Sequence, residues 1–199
     1  MPKRLHIIYI PGLGDEHKPR SQLWAVRQWA RYGVDAELFR MYWGDKKTWH
    51  PKFNRLILHI DRLVSKDKSI GIVAASAGAS AAINAFAARP DVIVGLVLIA
   101  GKVNRPNAIH SIHYTKNPAM PASVEQAVKS LEQLDPAKRR KILSRYGLFD
   151  GYVKRADSCI PGAHNQVSPT LGHFLTIAFQ LTLGAPGFIL FLKQRASKA

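Results

Sequence analysis

With 199 residues, 47% of them apolar, the chain has room for one full hydrophobic core and is too short for two comfortable domains. No stretch is repetitive or of low complexity. A single cysteine, Cys159, excludes an internal disulfide and any cysteine-based metal or redox motif, so a reducing, cytoplasmic setting is expected. The formal net charge of +16 comes from 29 Lys and Arg against 13 Asp and Glu, with the cations spread along the whole chain. No recognised nucleic-acid module appears. A solvated basic surface is therefore expected, with no specific nucleic acid and at most weak association with anionic surfaces.

The basic start Met1-Pro2-Lys3-Arg4 leads into Leu5-His6-Ile7-Ile8-Tyr9-Ile10, whose continuous apolar character reads as a buried parallel strand. The run is too short for the apolar core of a signal peptide, and no small-residue cleavage site follows. It enters Pro11-Gly12-Leu13-Gly14-Asp15, where two glycines let the backbone turn sharply and present an N–H outward; Asp15 reads as a helix cap in preference to a residue that tunes a site. Residues 21–32 have helical spacing, with Leu23, Trp24, Val26 and Trp29 on the apolar side. A strand is predicted over 34–42 and a helix over 51–64. Between them, Trp43 and Trp49 either border a pocket or pack beneath the loop.

Residues 69–80 are Ser-Ile-Gly-Ile-Val-Ala-Ala-Ser-Ala-Gly-Ala-Ser. A β-rich run ends abruptly at Ser76 and a helix of small residues begins at once behind it. Ala74-x-Ser76-x-Gly78 is one methyl group away from the Gly-x-Ser-x-Gly elbow, in which a serine on a strained strand-to-helix turn exposes its hydroxyl above a parallel sheet. Strand and departing helix pass closely there, so the positions two before and two after the serine must be small. The helix also aims its free N–H groups at the serine. The blander reading of the same residues is a buried strand, an alanine-rich helix and an incidental serine.

Residues 92–100 form another continuous apolar strand. A connection of about forty residues follows, long enough to carry function. This segment, 102–141, is expected to be a small cap-like insertion in a single domain spanning 1–199, with a proline-punctuated loop, a helix over 123–134 and a short helix from Pro136. Its His110-Ser111-Ile112-His113 is too sparse for a metal site. A strand over 142–149 ends in Asp150-Gly151, and a last strand over 163–168 leads through Leu171-Gly172-His173 into terminal helices. Phe174 to Leu192 approaches the length of a membrane span, but Gln180 and Gly184-Ala185-Pro186-Gly187 divide it into two packed helices.

Strands alternating with helices imply an α/β fold, a mostly parallel sheet covered on both faces. Ligands of such sheets sit at the carboxyl ends of the strands. Leu13, Ser76, Asp150 and His173 all fall just past a predicted strand end.

The order Ser76, Asp150, His173, together with the elbow and the early glycine-rich loop, resembles the α/β-hydrolase family over essentially the whole chain. Asp150-Gly151-Tyr152-Val153, the stretch from Pro161 to Val167, and Gly172-His173 are similar to that family's acid strand, final strand and histidine loop. Residues 185–192 look like its last helix. The resemblance implies a three-layer fold and a serine hydrolase without metal or organic cofactor, acting on small-molecule carboxylic esters through an acyl-enzyme. It makes Ser76 the nucleophile, His173 the general base and Asp150 its orienting carboxylate, with the N–H groups of Leu13 and Ala77 as the oxyanion hole. Ala74 departs from the usual first glycine, and Pro11 stands where many members have histidine. Without a long lid domain, a shallow, open pocket is expected. Asp157 and His164 are the rival acid and base; Ser80 should point away from the pocket. A non-catalytic binding protein, or a thioesterase or acyltransferase, would share the same scaffold.

Overall fold

The computed structural model describes residues 3–17 and 19–198. Met1 and Pro2, read above with the basic N-terminus, lie outside them. Six strands form one sheet in the order β2-β1-β3-β4-β5-β6, every neighbouring pair parallel. They are β1 (Leu5–Ile10), β2 (Asp35–Leu38), β3 (Ser69–Ala75), β4 (Ile93–Ile99), β5 (Ile142–Phe149) and β6 (His164–Leu171). The helices are α1 (Arg20–Gln28), α2 (Trp49–Val64), α3 (Gly78–Ala88), α4 (Ile112–Lys116), α5 (Ala119–Gln133), α6 (Pro136–Arg139), α7 (Arg155–Ser158), α8 (His173–Leu181) and α9 (Ala185–Ala196).

Because side chains alternate along a strand, each central strand feeds two cores. Ile8 and Ile10 of β1, with Ile72 and Ala74 of β3, pack with residues of α2, α3 and α5. Ile7 and Tyr9, with Val73 and Ala75, pack on the other face with α1, α8 and α9. Every residue of β3 and β4 is buried, which is why both strands read as unbroken apolar runs. Trp29, just after α1, is edge-on to Tyr9 and Phe188, and its indole N–H donates to the Leu181 carbonyl at 3.0 Å. That contact fastens the start of the chain to its last two helices. Among the described residues no single helix is long and apolar enough to cross a membrane, and α8 and α9 are bent by 62° at their junction.

Three expectations are corrected. The strand predicted over 34–42 ends at Leu38, because the buried Asp15 carboxylate accepts the backbone N–H groups of Met41, Tyr42 and Trp43 and draws that segment off the sheet edge. Asp15 is therefore a tie between two loops and not an α-helix cap. The helix predicted from 123 starts at Ala119, since Pro121 falls in the first turn, where a missing N–H costs nothing. Trp43 and Trp49 are both buried and stacked on one another at 6.3 Å, which settles them as packing residues.

At the sheet's far end Glu37 of β2 accepts from His59 (2.6 Å) and His6 (2.9 Å). The two imidazoles, His59 first, hold its carboxyl at about 2, against an ordinary 4.5. In the unfolded chain this carboxyl takes up a proton near its ordinary value; in the folded chain it does so only in much stronger acid. Its contribution to stability is thus complete above pH 4.5 and lost as pH falls toward about 2. Thermal unfolding of wild type and Glu37→Gln across that interval is expected to show the steeper acid loss in wild type.

Candidate active site

Ser76 follows β3 with φ of 52°, a left-handed conformation that L side chains adopt only at a cost. The turn is fixed from both sides. The Ser76 N–H donates to the Ile99 carbonyl at 3.0 Å, and the Ser76 carbonyl accepts from Ala79 (3.1 Å) and Lys102 (3.0 Å). Small residues make this possible. A Cβ on Gly78 would lie 2.3 Å from the Ile10 carbonyl oxygen, and one on Gly12 would lie 2.7 Å from the Ser76 Cβ. The loop after β1 is therefore in contact with the serine. It carries Leu13, which is exposed at the cavity, while Ala77 is buried at the start of α3.

Asp150 and His173 meet from the ends of β5 and β6. The His173 Nδ1 and Asp150 Oδ2 are 2.7 Å apart, and both side chains are almost fully buried. The other carboxylate oxygen, Oδ1, accepts the N–H groups of Tyr152 (2.8 Å) and Val153 (2.9 Å). Three donors thus fix the Asp150 carboxylate, which in turn assigns the proton to Nδ1 and leaves the His173 Nε2 lone pair free to accept. Ser76 and His173 line one cavity.

That cavity measures about 870 Å³, within the ~300–1,000 Å³ range of small-molecule sites. One part of its wall comes from α8, which supplies Phe174, Ile177 and Leu181, and another from Trp24 and Ala25 of α1. The segment between β4 and α5 closes another side with Ile109, His110 and His113. Burial, then the neighbouring His110, lowers the His113 pKa, so the His113 ring is neutral near pH 7. Met120 at the start of α5 also lines the cavity, whereas Val124, Ala127 and Leu131 further along α5 belong to the core.

The rival residues have other partners. Asp157 is buried against Lys102 at 2.7 Å and also accepts the Lys154 N–H. His164 lies on β6 with Nε2 at 3.2 Å from Arg195. Ser80 donates to the Ala77 carbonyl or pairs with Ser123 in the α3–α5 contact. Sequence reading missed the Gly12 contact and the two histidines in the cavity wall. Among the described residues no group of three or more His, Cys, Asp or Glu is arranged to hold a metal ion.

A fully parallel sheet with helices on both faces, a serine on a strained turn after a central strand, and a late histidine behind the last strand define the α/β-hydrolase fold. No family model and no curated protein matches the chain. Solved structures do. The chain superimposes on Est1E from Butyrivibrio proteoclasticus with a TM-score of 0.69 at 15% identity, covering 99% of this chain and 90% of that one. A structure described with LipS and LipT, two metagenome-derived lipolytic enzymes, gives a TM-score of 0.66 at 12% identity, covering 98% and 95%. The monoacylglycerol lipase of Paleococcus ferrophilus gives 0.62 at 9%, again covering 98% and 95%. At these identities the likeness is one of fold.

Proposed function

We propose that the protein is a serine hydrolase of carboxylic esters. The observation that carries the reading is the buried His173–Asp150 contact opening onto the cavity that Ser76 also lines. In this reading the Ser76 Oγ attacks the ester carbonyl while His173 Nε2 takes its proton. The imidazolium, held by Asp150, passes that proton to the departing alkoxide and leaves an acyl-enzyme. Water then attacks the acyl carbonyl, gives its proton to the same nitrogen, and Ser76 recovers it as the acid departs. The N–H groups of Leu13 and Ala77 are the proposed donors to the oxyanion. The proposed cap is the part of the 102–141 segment that reaches the cavity.

The lining favours an acyl or alcohol group that is mainly apolar, with the neutral His113 available as a hydrogen-bonding partner. The chain's fold neighbours include esterases and lipases. Soluble p-nitrophenyl esters of graded acyl length are expected to be turned over, with a burst of p-nitrophenol equal to the enzyme concentration where deacylation is slow. Added alcohol diverting the acyl group from water would identify a transferase. Absence of turnover at every chain length would leave the fold and remove the activity.

A further inference from the structure

We propose that the face around the cavity mouth docks on an anionic lipid surface. Six large apolar side chains there are 58% to 75% exposed: Trp24, Phe149, Tyr152, Leu171, Phe174 and Leu175. They stand on segments that meet at the mouth: the ends of β5 and β6, the start of α8, and α1. Phe149 and Leu171 are register partners on β5 and β6. The rings of Tyr152 and Phe174 lie 5.6 Å apart, and both line the cavity with Trp24. A patch of this kind on a chain otherwise rich in charge marks a binding surface.

Cations outnumber carboxylates in the segments around it. Arg20, Lys116, Lys154 and Arg155 are exposed and belong to segments that reach the mouth: each stands within three residues of Ser21, His113 or Val153 in the cavity wall. Three of the carboxylates on this side are already engaged: Asp150 by His173, Asp157 by Lys102, and Asp15 by the backbone of 41–43. Neither 92–124 nor 158–199 contains a single Asp or Glu.

Apolar and aromatic side chains ringed by cations match the two layers of a bilayer interface, with aromatic rings at headgroup depth and lysine and arginine at anionic phosphates. A second copy is a poor occupant, since two chains of charge +16 would meet through their basic faces. A polynucleotide would use the cations but has no place for exposed leucines at its backbone. Delivery of a bilayer-borne ester to Ser76 rests on the esterase reading; docking itself does not.

The test is co-sedimentation of the full chain with vesicles of phosphatidylglycerol and phosphatidylcholine, and with phosphatidylcholine alone. Binding to the mixed vesicles is expected, weakened by high salt and nearly absent without phosphatidylglycerol. Lys154→Glu/Arg155→Glu is expected to lower partitioning by about thirtyfold, on the strength of two lost cation–lipid contacts. Phe149→Asp/Leu175→Asp, altering two residues outside the cavity lining, is expected to lower it at least as much. Circular dichroism and soluble-ester turnover would report the fold and the catalytic reading separately. Failure to bind mixed vesicles, binding indifferent to lipid charge, or full binding by both variants would each overturn the proposal. So would a wild-type dimer that Phe149→Asp/Leu175→Asp dissociates, or tight binding of a single-stranded oligonucleotide without binding of vesicles.

Discussion

Ser76→Ala is expected to lower kcat on an activated soluble ester by about four orders of magnitude or more, with little change in thermal stability. The hydroxyl is the group the mechanism consumes and restores, whereas the backbone of the turn is held by contacts from Ile99, Ala79 and Lys102 that alanine keeps. Alanine fits where serine does, since both bear one Cβ at φ of 52°. Because the proposed nucleophile and base would act as a unit, the double variant Ser76→Ala/His173→Ala is expected to be about as slow as either single variant. Multiplicative losses would indicate that the two side chains work independently. Steady-state kinetics on the three proteins, with matched unfolding curves, decide between these outcomes.

Asp157→Ala is expected to have the largest effect on stability, about 3–5 kcal/mol. Lys102 and Asp157 form an ion pair at 2.7 Å with both side chains buried, so removing the carboxylate strands an ammonium in the interior. The remaining Lys102 partner, the Arg105 carbonyl at 3.1 Å, is neutral and cannot balance that charge. The variant also loses the carboxylate that caps α7 through the Lys154 N–H. A fall in Tm of about 10 °C follows for a chain of this size. The pair Lys102→Met/Asp157→Leu is expected to recover most of the loss, because two apolar side chains leave no buried charge behind. Equal destabilisation in the single and double variants would show that packing, and not the stranded charge, is responsible.

Where local chemistry decided the structure, the sequence was readable. β1 and β5 fall on the predicted residues because an apolar run closed by Pro11-Gly12 or Asp150-Gly151 has few other solutions. The turn at Ser76 was legible for the same reason: only small residues let β3 and α3 pass the end of β1. Misreadings came where a distant partner won. Asp15 ended β2 early through residues some 26 to 28 positions away. β6 runs on to Leu171 through Pro169, which an edge strand tolerates and an inner strand would not. The cavity wall depends on α1 meeting α8, about 150 residues apart, and no local pattern encodes that meeting. The Lys102–Asp157 pair, 55 residues apart, was hidden because each residue alone looks like an ordinary surface charge.

The position of the reactive serine tests the chemistry most directly. A fluorophosphonate probe reacted with the folded protein, followed by peptide mapping by mass spectrometry, is expected to place one adduct on Ser76. That adduct should disappear in Ser76→Ala and form far more slowly in His173→Ala. Ester turnover with the adduct on another residue, or turnover that continues undiminished in Ser76→Ala, would contradict the assignment.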